Sequence, residues 1–174
     1  MFLPESQEII KDLLRDTMEV FEPKIIHAGL DEVNFGHHRA TKRLLKKKSL
    51  NALFADHINW CHEVVTGLGA RMGIWGDHLL PDLDAEDVIA RRTPKDTIIF
   101  DWHYQADFQP SSLDFFIERG FEIYGCPATQ RSNNRVLSSW ENFDNLRRFS
   151  GYALERRKVA RGTGRVTGRV NTVW

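Results

Sequence analysis

Short apolar segments alternate with amphipathic helices along the whole chain, and this alternation constrains the fold more than any other feature. Ile9, Ile10, Leu13, Leu14, Met18 and Phe21 recur at helical spacing, which predicts a helix that Pro23 ends. Lys24–Ala28 then reads as a strand, and Gly29 to His38 as a loop rich in functional groups. Leu50, Leu53, Phe54, Ile58, Cys61, Val64, Val65 and Leu68 form one stripe, with Ser49 as N-cap and Gly67 and Gly69 as stop signals. Further strands are expected at Arg71–Trp75, Thr97–Trp102, Phe121–Gly125 and Val166–Val173. Between them Asp84 is expected to cap a short helix. Ser111 or Ser112 should cap another that Gly120 ends, and a longer helix covers Phe143 to Lys158.

Apolar strands separated by amphipathic helices predict α/β architecture with a parallel sheet covered on its faces. An open doubly wound sheet and a TIM (β/α)8 barrel both satisfy that pattern. No G-x-G-x-x-G follows any strand, which removes the main dinucleotide-binding signal. Polar and aromatic residues instead collect just past successive strands: Asp31 and Glu32, then Trp75 and Asp77, then Trp102, His103 and Tyr104. Such residues mark the C-terminal face of a barrel. A full barrel takes about 250 residues. The 174 residues here therefore predict a single domain, 1–174, that is part of a barrel incomplete at both ends.

Composition excludes several classes. Apolar residues are 41% and charged residues 28%, which is globular rather than disordered. Lys plus Arg equals Asp plus Glu at 24 each, so there is no global basic field for nucleic acid. No apolar run reaches the roughly 20 residues that span a bilayer, and the first residues lack the pattern of a signal peptide. Cys61 and Cys126 form no CxxC and are read as packing residues.

The segment Ile26-His27-Ala28-Gly29-Leu30-Asp31-Glu32-Val33 carries the most chemistry. It sets two adjacent carboxylates just beyond a buried strand. Adjacent side chains diverge, so the two acids reach different parts of one ligand. Such surroundings can push two neighbouring carboxyl groups apart, into one proton donor and one lasting anion. A solvated loop is the alternative for a bare Asp-Glu pair.

His27-Ala28-Gly29-Leu30-Asp31-Glu32 resembles the His-x-Gly-x-Asp-Glu signature of glycoside hydrolase family 20, the β-N-acetylhexosaminidases. Trp75-Gly76-Asp77 resembles the family's Trp-x-Asp at the next strand end. Trp102-His103-Tyr104 sits where the family has an aromatic residue. Gly120 to Ala128 resembles its Gly-Tyr-x-Val-Ile-x-Ser-Pro segment, and Thr172-Val173-Trp174 its Thr-x-Trp. The likeness covers essentially the whole chain, in order. It implies the barrel from the helix before strand four to strand eight. The chain departs from the family at Pro127 to Asn134, which carries neither the Tyr nor the Asp found there.

The resemblance further implies substrate-assisted retaining hydrolysis of terminal non-reducing N-acetylhexosamines, an exception to the usual two-carboxylate scheme. Glu32 would be the acid/base. Asp31 would orient the acetamido group and stabilise the oxazolinium. Trp75, Trp102 and Trp174 would wall the sugar pocket, with His27, Asp77 and Tyr104 as further substrate-binding residues. His27 could equally orient the acid loop or pair with a backbone group. No cofactor or metal is implied. The partner would be a carbohydrate containing N-acetylglucosamine or N-acetylgalactosamine, not nucleic acid or membrane, with the missing strands or self-association covering the open barrel.

Two alternatives accompany this reading. One is a non-catalytic sugar-binding or scaffold fragment, and the other a metal-dependent hydrolase on the same barrel. His57 and His62 are five apart, a poor helical spacing for two ligands of one metal. The Lys42 to Lys48 and Arg156 to Arg169 stretches are read as solvated basic faces.

Overall fold

The computed structural model describes residues 3–33, 39–105, 111–130, 140–159, 164–170 and 172–173. The chain divides into two compact units, Met1–Ile74 with His78–Thr97, and Trp75–Asp77 with Ile98–Trp174.

The first unit runs α1 (Pro4–Phe21), β1 (Ile25–His27), α2 (Arg39–Leu44), α3 (Leu50–Gly67), β2 (Arg71–Trp75) and α4 (Val88–Arg92), with the last residue of β2 assigned to the second unit. β1 and β2 are parallel, with Ile26 opposite Met72 and His27 opposite Gly73. α3 is the core helix. Ser49 caps it as expected, its hydroxyl accepting the Ala52 N–H at 3.2 Å. Phe54, Ile58 and Val65 are almost wholly buried, as are Met72 and Ile74 of β2. Each large apolar side chain so buried contributes roughly 1.5–3 kcal/mol. Gly69, at φ +88°, turns the chain from α3 into β2. Asp84, 2% exposed, caps α4 by accepting the N–H groups of Val88, Ile89 and Ala90.

The stripe on α1 forms a helix but not a core. Pro4 starts it and Glu22, at φ +45°, ends it, yet none of its side chains is buried. Ile9, Leu13 and Phe21 are exposed. Helical periodicity reports that residues share a face, not that a neighbour covers that face.

The second unit holds β3 (Ile98–Trp102), α5 (Ser111–Glu118), β4 (Glu122–Cys126), β5 (Ala128–Gln130), α6 (Trp140–Val159), β6 (Arg165–Arg169) and β7 (Thr172–Val173). β4 lies parallel between β3 and β6, with Phe100 opposite Tyr124. Gly125 leaves room for the buried Phe149 ring, which would lie 1.9 Å from a Cβ there. The Val-rich segment, expected as one strand, divides into β6 on β4 and β7 on β5. Within β6 the register against β4 shifts at Ile123/Tyr124, and Gly168 admits the Tyr124 ring.

Candidate active site

The acid loop leaves β1 through backbone that few residues adopt. Gly29, Leu30 and Glu32 have φ of +74°, +75° and +45°. Glycine tolerates this freely, whereas a left-handed Leu or Glu costs on the order of 1 kcal/mol each. The loop is tied at several points. The Ala28 N–H donates to Gly73 O at 2.8 Å. The Gly29 N–H donates to His27 Nδ1 at 3.0 Å, and the Val33 N–H to His78 Nε2 at 2.9 Å. Asp31 and Glu32 are both exposed. His27 therefore pairs with a backbone group, and that group belongs to the acid loop itself.

Crowding around the His27 ring pushes its pKa down to about 4, although the residue keeps an exposed edge and the Asp31 charge pulls the other way. His27 and His57 line one cavity of about 510 Å³ in the first unit, with Ile10, Leu13 and Leu14 of α1 among its other walls. Burial also takes His57, 3% exposed, from 6.5 down to about 4. The unfolded chain binds a proton at His57 near pH 6.5, and the folded chain only near pH 4. Stability therefore falls as pH drops through that window, by up to about 3 kcal/mol for His57. Urea unfolding measured from pH 7 to pH 4 should show this loss, and His57→Leu should reduce it, leaving the part that belongs to His27.

The second unit carries the aromatic residues. Trp75 meets Phe100 edge-on at 6.1 Å, and Phe100 stacks on Tyr124 at 5.3 Å. Trp102 stacks on Tyr104 at 5.1 Å, with both rings half-buried. A half-buried aromatic pair supplies flat apolar surface of the kind a pyranose ring packs against. Gly76 lets the chain past this region, since a Cβ there would come 2.8 Å from both Ile99 and Phe116. Asp77 is half-buried and opens a short 3-10 turn, Asp77–Leu79. Trp174, the third pocket tryptophan of the sequence reading, lies outside the described residues.

Beneath Trp102, Asp101 is 2% exposed. Its carboxylate accepts from the Ser112 hydroxyl at 2.8 Å and lies 3.1 Å from His103 Nε2, which is itself 2.7 Å from Ser112 Oγ. Ser112, one of the two serines expected to cap the helix, thus stands inside α5 and anchors β3. Its proton goes to Asp101, so this Ser-His-Asp set is a structural network rather than a nucleophile with its base.

Sequence reasoning missed two positioning groups, His78 and Asn145. Asn145, fully buried on α6, donates to the carbonyls of His103 and Gln105 and accepts the Ala128 N–H, joining the segments after β3 and β4. Both residues act on backbone groups far along the chain, and only the D-H that follows Trp75-Gly76 hinted at His78. Cys61 and Cys126 are buried, and burial pushes both thiols up to about 12, as expected of packing residues.

The model of glycosyl hydrolase family 20, catalytic domain, matches residues 1–153. Two solved structures from Vibrio harveyi share the fold. A family 20 exo-β-N-acetylglucosaminidase in complex with N-acetylglucosamine is 21% identical, with a TM-score of 0.56. An inactive mutant of that exo-β-N-acetylglucosaminidase is 20% identical, also with a TM-score of 0.56. Each comparison covers 74% of this chain and 19% of the other, so the chain spans about a fifth of their length. No curated protein matches. The parallel α/β architecture is accordingly that of a partial TIM barrel, and the chain belongs to glycosyl hydrolase family 20.

Proposed function

We propose that this chain carries the acid pair of a β-N-acetylhexosaminidase, which releases terminal N-acetylhexosamines with the substrate's acetamido group as nucleophile. The observation that carries this reading is the Asp31–Glu32 pair on a left-handed strand-end loop, within the stretch matched by the family's catalytic domain. The printed titles of the similar structures, which include N-acetylglucosamine, support that substrate class.

In this mechanism the acetamido carbonyl oxygen attacks the anomeric carbon as the glycosidic bond breaks. Glu32 gives its proton to the leaving oxygen, then takes one from the water that opens the oxazolinium. Asp31 accepts the acetamido N–H and faces the positive charge that develops on the ring. Only one acid acts on the scissile bond, which is why the two can be neighbours. Trp75, Asp77, Trp102, Tyr104 and Trp174 are proposed to hold the sugar.

The exposure of both carboxylates also favours a second reading, a sugar-binding fragment without turnover. A chromogenic N-acetylglucosaminide separates the readings. Hydrolysis that survives a chelator and is slowed in Glu32→Gln, most for a poorly acidic leaving group, is the expected result. Loss on chelation would favour metal-dependent chemistry. No turnover, with N-acetylglucosamine still raising Tm, would favour the second reading.

A further inference from the structure

His78 lies outside every functional motif recognised in the sequence, yet it meets the acid loop directly. Its Nε2 accepts the Val33 N–H at 2.9 Å, from a residue 45 positions upstream. At the other end of the loop, His27 Nδ1 accepts the Gly29 N–H at 3.0 Å. Between these two bonds lie Leu30 and Glu32, both with positive φ, and Asp31. The His78 ring is itself fixed, resting against Phe54 at 4.7 Å between centroids, and Phe54 is 1% exposed.

We infer that His78 is a positioning residue: with His27 it forms a two-imidazole clamp that holds Gly29–Val33 in its left-handed course and so sets where Glu32 presents its carboxyl group. This rests on the acid role proposed for Glu32. Left-handed backbone at Leu30 and Glu32 relaxes unless something over-determines it. An imidazole accepts only through a nitrogen that carries no proton. The clamp therefore requires opposite tautomers, with the proton on Nε2 of His27 and on Nδ1 of His78. The lowered pKa of His27, about 4, keeps its acceptor available at neutral pH.

The test joins imidazole 15N spectra of the wild-type chain with amide exchange and kinetics of two variants. His78→Phe keeps a ring against Phe54 but has no acceptor, and His78→Gln can put an amide oxygen near the Nε2 position. The expected spectra show the two opposite tautomers at pH 7. His78→Phe should leave Tm nearly unchanged and speed exchange at Val33 by about tenfold or more. It should lower kcat about 10- to 100-fold with KM little changed, and His78→Gln should restore most of both. The same tautomer on both rings, or Val33 exchange unaltered in His78→Phe, would overturn the clamp. A wild-type chain that binds N-acetylglucosamine without turnover would overturn the acid role instead, while spectra and exchange still decide the clamp.

Discussion

Asp31→Asn is expected to lower kcat about a thousandfold while KM shifts only a few-fold. The substrate reaches the site with a neutral acetamido group, which an Asn oxygen can still meet as hydrogen-bond acceptor. The charge appears only as the carbonyl oxygen closes on the anomeric carbon. A full negative charge beside the forming oxazolinium is therefore worth most in the transition state, and binding of the ground state depends on it little. That asymmetry predicts a loss concentrated in kcat. Steady-state kinetics on a chromogenic N-acetylglucosaminide measures it, and a near-normal kcat would remove Asp31 from the mechanism.

The second large effect belongs to Glu32→Gln. Removing a positioned proton donor typically costs between a hundredfold and ten-thousandfold, roughly 10²–10⁴. The size of the loss should follow the leaving group. An alkoxide leaving group needs the proton and should show the full deficit, whereas a strongly acidic phenol departs as an anion and should show much less in the first step. Sugar binding should persist, so N-acetylglucosamine is expected to raise the Tm of Glu32→Gln and of the wild type alike. A deficit in kcat/KM, which reports the first step, that is equal for both leaving groups would mean that Glu32 does not donate a proton.

The sequence was most readable where structure is local. Ser49 and Asp84 announce their helices because a cap bonds to N–H groups a few residues away. β2, β3 and β4 were legible because each is a compact apolar run between turn signals. The division of Val166–Val173 was not, since its two parts pair with different strands, β4 and β5, about 40 residues upstream. Ser112 shows the same limit. Beside a helix start a serine reads as a cap, but the buried Asp101 claims its hydroxyl. In the candidate site, the acids and the indoles stood out by type and by position after strands. His78 and Asn145 did not, because they act through single backbone groups that no local pattern marks. The stripe on α1 marked a helix correctly, but periodicity could not say that none of its side chains would be fully buried.

The central claim is that the sugar's own acetamide attacks while Glu32 protonates the leaving oxygen and Asp31 steadies the resulting cation. It is tested most directly by a series of chromogenic substrates whose 2-acetamido methyl carries zero, one, two or three fluorine atoms. Fluorine withdraws electrons from the carbonyl oxygen without much change in size. Participation by that oxygen predicts that kcat/KM falls steeply with each fluorine. A flat dependence, with all four substrates hydrolysed at similar rates, would contradict it.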